Sequence, residues 1–339
     1  MAFVESTRPK LALTVGDPAG IGPEIVAAAL DDPRSTADQD LVVIGPEHAR
    51  PEHVPLWDGK DGLQLATLSG AMWLTTPCEA FEVGRVSAAG GAAALAALRR
   101  AADLCLGTSS NLPALDGMVN APVSKEALHL AGEEVEGQTE LLGRWAKAER
   151  MQMLAIAKKL RVLLLTRHMP LKHALELITT DRVVEHLALL KEGLEELGFD
   201  APKLALAGLN PHAGENGLLG SEDGEVLVPA AARANELGID VTGPLSPDSI
   251  FVRASRGEFD GVLALYHDQA FIPTKLHAPD GGMTVLVGLP FLRVSPAHGT
   301  AMDVAGQGVA RADNLIEAIV QAGEWASLRR ARAMRVRTV

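Results

Sequence analysis

Three of the ten histidines follow closely on apolar runs: R-V-L-L-L-T-R-His168, L-A-L-A-G-L-N-P-His212 and G-V-L-A-L-Y-His267. Neutral imidazoles bind divalent cations, and a site with three protein ligands keeps positions open for substrate. A cation held that way polarises a bound oxygen as a Lewis acid. Any one of these histidines alone is an ordinary loop residue. Three of them after strand-like runs point to one divalent metal, because open α/β sheets gather ligands at the carboxyl ends of their strands. His48, His53, His129, His173, His186 and His277 lack that context and read as surface or packing residues.

Other chemistry clusters further along. Lys275 lies just past His267 and could hold a carboxylate or phosphate, or move a proton; a solvated loop lysine is the ordinary alternative. Arg293 is embedded in the apolar stretch L-P-F-L-R-V and needs a partner. An anionic substrate and an internal carboxylate both answer. The stretch from Val294 to Ala310, V-S-P-A-H-G-T-A-M-D-V-A-G-Q-G-V-A, holds His298, Gly299, Thr300, Asp303, Gly306 and Gly308. Glycines there let a backbone approach a ligand closely. The pattern H-G-[ST]-A-x-D-x-A-G-x-G resembles the nucleotide-binding loop of isocitrate and isopropylmalate dehydrogenases, and a Gly-rich surface turn is the plainer alternative.

Strands alternating with helices must position these residues. K-L-A-L-T-V (Lys10 to Val15) reads as a buried strand. The turn G-D-P-A-G-I-G-P-E leads from it into a helix, with Pro23 in the first turn and Glu24 at the positive end. That turn lacks both the Rossmann and the P-loop patterns. Strands are also expected at Asp40 to Gly45, Leu115 to Asn120, Lys203 to Leu209 and Gly261 to Tyr266. Arg50 to Pro77 reads as loops and short strands. Helices are expected at Ser87 to Leu106, with Ser87 as cap, and at Thr139, Pro170 to Ile178, Asp181 to Leu197 and Glu222 to Leu237, with a last one from near Arg311. Met151 to Ala157 and Leu160 to Thr166, separated by two lysines, form a hairpin, so a mostly parallel sheet becomes mixed.

Composition excludes several classes. The 339 residues suffice for two domains. With 47% hydrophobic but only 4% aromatic residues, the core must be aliphatic, as in helices packed on a parallel sheet. A net charge of −12 argues against nucleic acid and requires a local cationic pocket for any anionic substrate. Cys78 and Cys105 have no metal-type spacing and suit a reduced, cytoplasmic interior. The N-terminus has no apolar signal region, and Ala88 to Leu98 is too short and too rich in small residues to span a bilayer. The basic end R-R-A-R-A-M-R-V-R reads as a solvated helix end.

Seven stretches then fall into one order: T-V-G-D-P-A-G-I-G-P-E, N-A-P-V-S-K, G-Q-T-E, G-L-N-P-H-A-G-E-N-G, Y-H-D-Q, G-L-P-F-L-R and H-G-T-A-M-D-V-A-G-Q-G. Together, from Leu11 to about Ile316, they resemble the 4-hydroxythreonine-4-phosphate dehydrogenase family of vitamin B6 synthesis. The resemblance implies an isocitrate/isopropylmalate-dehydrogenase-like α/β fold of two domains with a central cleft and a mixed parallel sheet. It divides the chain into a nucleotide-side domain, residues 1–135 with 290–339, and a metal, substrate and dimerisation domain, residues 136–289. It implies a homodimer with a shared active site, NAD or NADP, and one divalent metal (Zn, Mg, Co or Mn) on His168, His212 and His267. Substrate contacts fall on Thr139, Lys275 and Arg293, and Asp248 in G-P-L-S-P-D-S matches a family aspartate.

Two positions depart from that pattern. Gln138 stands where the family has a substrate-contacting histidine, and Thr284 where an asparagine is expected. The implied reaction is metal-assisted oxidation of 4-phosphohydroxy-L-threonine by the nicotinamide, then decarboxylation to 3-amino-2-oxopropyl phosphate. Lys275 is the candidate for proton transfer. Related enzymes act on 4-phosphorylated threonate or erythronate, or on an aromatic cis-dihydrodiol carboxylate, and I-P-T-K-L-H-A-P-D-G-G is similar to the last group. The rival classes are a metal-dependent hydrolase or acyl transferase working without nucleotide, and a binding module that has lost the chemistry.

Overall fold

The structure, a computed structural model, describes residues 8–108, 112–279 and 281–337. The expected absence of a leader therefore falls mostly outside it, as does Asp280 of the dihydrodiol-like stretch. The chain forms two compact units: residues 1–149 with 289–339, and residues 150–288.

Continuous apolar runs build the first unit. Every residue of β1 (Lys10–Thr14), β2 (Asp40–Gly45) and β5 (Gly117–Asn120) is buried. Strands without an exposed face belong in a parallel sheet covered by helices. Here β1 pairs in parallel with β2 and β5, β2 with β4 (Ala71–Thr75), β4 with β3 (Leu56–Trp57), and β5 with β12 (Leu292–Pro296). The helices are α1 (Gly22–Asp31), α2 (Gly62–Ala66), α3 (Ala88–Leu106), α4 (Lys125–Leu130), α5 (Gln138–Ala146) and α11 (Asp313–Arg337). The long α3 packs on β1, β2 and β5, and α11 on β12, β5 and β1. Ser87 caps α3 as expected, its Oγ accepting from Gly90 N at 3.1 Å. All four tryptophans, at 57, 73, 145 and 325, lie in this unit.

Small residues let α3 sit close to α4. A Cβ on Gly91 would meet the Ala127 carbonyl oxygen at 1.9 Å, a backbone atom that cannot rotate away. Gly91→Ala is expected to destabilise the protein by about 2 kcal/mol or more through overpacking. Gly224→Ala, whose Cβ meets nothing within 4 Å, is the control. Urea midpoints that move equally little for both would refute the packing account.

The second unit is mixed, as the hairpin requires. β6 (Gln152–Ala157) pairs antiparallel with β7 (Leu160–Leu164) and with β11 (Met283–Val287). From β7 the sheet runs in parallel through β10 (Gly261–Ala264) and β8 (Leu204–Ala207) to β9 (Val241–Leu245). The helices are α6 (Leu171–Glu176), α7 (Thr180–Glu196), α8 (Val228–Glu236), α9 (Ile250–Ser255) and α10 (His267–His277). A core of Leu160, Val162, Leu164, Ala205, Val262 and Ala264 from the strands packs with Ile250, Phe251 and Ala254 of α9 and Ala270 of α10.

Several expectations need correction. The expected helix at 222–237 is a π-helical turn, Asp223–Leu227, followed by α8, because Pro229 has no N–H for a continuous ladder. Lys275 lies on α10, which sets aside the plainer alternative of a loop lysine. The expected division at 135/136 falls instead at 149/150. Residues 136–149 stay with the first unit because α5 packs on α3 and Arg144 pairs with Glu133 at 3.3 Å.

Candidate active site

In the second unit, three neighbouring parallel strands each lead into one of the expected metal histidines. His168 follows β7, His267 opens α10 just after β10, and His212 follows β8. The rings of His168 and His267 lie 5.2 Å apart, centroid to centroid. His267 Nδ1–H donates to Asp268 Oδ1 at 2.7 Å, since an ionised carboxylate only accepts; in the neutral ring this leaves Nε2 as the nitrogen with a lone pair. Both rings line a cavity of about 230 Å³ with Arg167, Tyr266 and Asp268.

His212 reaches its place on an unusual turn. His212, Ala213, Gly214, Glu215 and Asn216 all have φ between +42° and +80°. A non-glycine residue there costs about 1–2 kcal/mol, so the surroundings must enforce the conformation. Asp223, 1% exposed, does much of this. Its carboxylate accepts from Leu209 N (2.8 Å), Asn210 N (3.0 Å) and Asn210 Nδ2 (3.0 Å). Gln269 ties the turn to the His267 helix: Nε2 donates to Gly208 O (2.8 Å) and Oε1 accepts from Leu265 N (2.7 Å). Among the described residues, no three His, Cys, Asp or Glu side chains stand close enough to hold a metal together. The structure thus brings His168 and His267 side by side and sets His212 on the adjoining strand end. The donor chemistry, imidazoles with an accepting nitrogen, fits a divalent cation.

Lys275 belongs to the same face. Its Nζ lies 5.9 Å over the Phe271 ring, and Phe271 lies 4.7 Å from His267. Asp248 follows β9, where its Oδ1 accepts from Ser246 Oγ at 2.7 Å. Thr284 is buried in β11 opposite Ala155.

The first unit holds the anion-binding candidates. Arg293, on β12, is 3% exposed. Its Nε donates to Asn120 Oδ1 at 2.7 Å, and NH2 donates weakly to Gln138 Oε1 at 3.5 Å. Asn120 is itself held by Thr14 Oγ1 at 3.1 Å. Burial pulls the guanidinium pKa down to about 10, against the pull of nearby Glu140, so it remains a cation at neutral pH. The embedded charge therefore hydrogen-bonds neutral amide oxygens, and no carboxylate does so among the described residues. Thr139, buried in the first turn of α5, adjoins Gln138.

The Gly-rich loop after β12 is anchored to the turn after β1. Ile21 N donates to Thr300 O at 3.0 Å, and a Cβ on Gly20 would strike that oxygen at 2.8 Å. Glu24 accepts from the backbone N–H groups of Gly306 and Gly308, the latter at 3.0 Å. Gly306 and Gly308 have φ of +78° and +68°. His298 Nε2 is buried with no hydrogen-bond partner among the described residues. Gly299 and Asp303 lie exposed, and Asp303 O accepts from Gln307 Nε2 at 2.8 Å.

Sequence reading missed Asn120, Asp223, Asp268, Gln269 and Phe271 as supports. Asn120 stood within a quoted motif and ends a strand, which was the available signal. Asp223 carried none.

The chain is similar to several dehydrogenases. It is 37% identical over 343 residues to the 4-hydroxythreonine-4-phosphate dehydrogenase of Geobacter metallireducens, covering 96% of this chain and 97% of that one. It is 37% identical over 322 residues to the D-threonate 4-phosphate dehydrogenase of Salmonella typhimurium, covering 91% and 96%. A crystal structure of 4-hydroxythreonine-4-phosphate dehydrogenase from Klebsiella pneumoniae superposes with a TM-score of 0.84 at 34% identity, covering 96% of this chain and all of that one. The family model for "Pyridoxal phosphate biosynthetic protein PdxA" matches residues 35–322, and with these relatives on both sides of that match the chain belongs to the PdxA family.

Proposed function

We propose that this protein is a metal-dependent, NAD(P)-linked dehydrogenase. It oxidises the secondary alcohol of 4-phosphohydroxy-L-threonine, and the resulting β-keto acid loses CO2 to leave 3-amino-2-oxopropyl phosphate. The observation that carries the anionic substrate is Arg293, a buried guanidinium that among the described residues hydrogen-bonds only amide oxygens and so is available to a carboxylate or phosphate. The dehydrogenase names of the relatives weigh against a hydrolase working without nucleotide.

His168, His212 and His267 would hold the divalent metal, and a metal there supplies Lewis-acid polarisation of the substrate oxygens. The loop Val294 to Ala310 would hold the nicotinamide nucleotide, the hydride acceptor. Arg293 binds the substrate anion, and Asn120 fixes the plane of its guanidinium. Gln138 and Thr139 add neutral donors beside it. Lys275, close to His267 through Phe271, takes up the hydroxyl proton and returns one to the carbon that loses CO2. Asp248 and Thr284 belong to the same proposed site, with Asp248 catalytic and Thr284 on substrate. The reading includes a homodimer with a shared active site and a cytoplasmic location, which suits the two free cysteines. Among the described residues, no helix is long and apolar enough to cross a membrane.

A second reading is oxidation of a 4-phosphorylated threonate, favoured by the equal 37% identity to that relative. The test is an absorbance assay for reduced nicotinamide on phosphorylated and unphosphorylated hydroxy acids, with wild type and Gln138→His. Glutamine offers a neutral donor; a cationic histidine offers a charge-assisted bond roughly twice as strong. Gln138→His is expected to raise kcat/KM for the phosphorylated substrate by about tenfold or less. If wild type oxidises an unphosphorylated diol and both proteins ignore the phosphorylated acids, the proposed substrate is wrong.

A further inference from the structure

Glu24 and Gly306 border a cavity of about 480 Å³ within the first unit. Its wall also includes Gly20, His48, Cys78, Glu79 and Phe81, and no lysine or arginine lines it among the described residues. The rings of His48 and Phe81, 5.4 Å apart and tilted at 46°, offer a surface for a flat heterocycle. Arg293, Asn120, Gln138 and Thr139 are not part of this wall. The cavity therefore suits the end of a ligand that stays away from the reacting carbon.

The backbone amides of a glycine loop are natural partners for phosphate oxygens. Here the Glu24 carboxylate already holds those of Gly306 and Gly308. A phosphate arriving at this point would have to displace one carboxylate and face a second, Glu79. A hydroxyl arriving there finds carboxylate lone pairs ready to accept. The Cys78 thiol reports the same field: burial first, then the negative charges of Asp17 and Glu79, push its pKa above the usual value. An acidic side chain on the ribose hydroxyls is the general solution for NAD, as an arginine is for the 2′-phosphate of NADP.

Resting on the nucleotide reading of the loop Val294 to Ala310, we propose that this cavity takes the adenosine end of NAD. Glu24 accepts from the ribose hydroxyls, and Glu79 together with Glu24 rejects a 2′-phosphate. The protein then discriminates against NADP by charge rather than by size.

Calorimetric titration of the wild type with NAD, NADP, adenosine 5′-monophosphate and adenosine 2′,5′-bisphosphate tests this. The member of each pair that lacks the 2′-phosphate is expected to bind at least ~10-fold more tightly, with a ratio that narrows in high salt. NAD should also slow alkylation of Cys78, with buried Cys105 contributing little background. Glu79→Lys should shrink the NAD-to-NADP ratio. Equal affinity for the two members of each pair overturns the proposal, as does nucleotide binding that leaves Cys78 labelling unchanged. If no nucleotide binds at all, the loop's nucleotide reading falls first, and this assignment with it.

Discussion

Alanine at His168, His212 or His267 is expected to remove the divalent metal and the activity together. Losing a hydrogen-bonding support of a metal ligand already costs about 10–100-fold in affinity, so losing a ligand should cost at least ~100-fold. Asp268→Asn, which loosens the His267 ring without removing it, should fall nearer tenfold, because Asp268 holds Nδ1 at 2.7 Å. His168 and His212 are exposed and His267 is half-exposed, so the metal-free variants should unfold at the same temperature as metal-free wild type. Elemental analysis after dialysis against limiting metal measures occupancy directly. Full occupancy in all three alanine variants would sink the assignment, whatever happened to turnover.

Arg293→Met should lower kcat/KM by roughly 30- to several-thousand-fold, the range expected for truncating a buried, hydrogen-bonded charge that meets an anion. Arg293→Lys should recover only part of this, because an ammonium cannot keep the fork that engages Asn120. A thermal readout separates binding from mere structural damage. Burial holds the Arg293 pKa at about 10, below the usual guanidinium range, so folding at neutral pH includes an only partly compensated charge. That penalty is present at every pH below about 10 and diminishes as pH rises above it toward the ordinary guanidinium range, because the unfolded chain then binds more protons. An anion beside the guanidinium relieves it. Phosphorylated substrate is therefore expected to raise the Tm of the wild type and to leave that of Arg293→Met unmoved. Equal shifts in both proteins would place the anion elsewhere.

The strand-following histidines were legible because a local pattern, an apolar run and then an imidazole, carries both element and position. The same holds for β2, the β6–β7 hairpin and the Ser87 cap, each of which the chain specifies within a few residues. What the sequence hid was set by contacts between distant residues. Arg293 announced its need for a partner, but Asn120 lies 173 positions away. Glu24 looked like a favourable charge on a helix end, and only folding brings it to Gly308, 284 residues along. The sequence offered no helix around Lys275, because Pro273 interrupts the pattern of α10. The left-handed turn bearing His212 has no periodicity at all; Asp223 and the surrounding glycines fix it from outside.

The uneven placement of the tryptophans makes the molecule its own two-channel reporter. With Trp57, Trp73, Trp145 and Trp325 all in the first unit, and Tyr266 as the lone tyrosine in the second, red-edge emission follows melting of the first unit alone. Backbone circular dichroism follows helices of both units. Denaturation curves from the two signals coincide only if the units melt as one cooperative block. If they melt apart, a ligand of the first unit moves the emission curve and a ligand of the second moves the remaining dichroism, so each ligand can be assigned to its unit without labelling the chain.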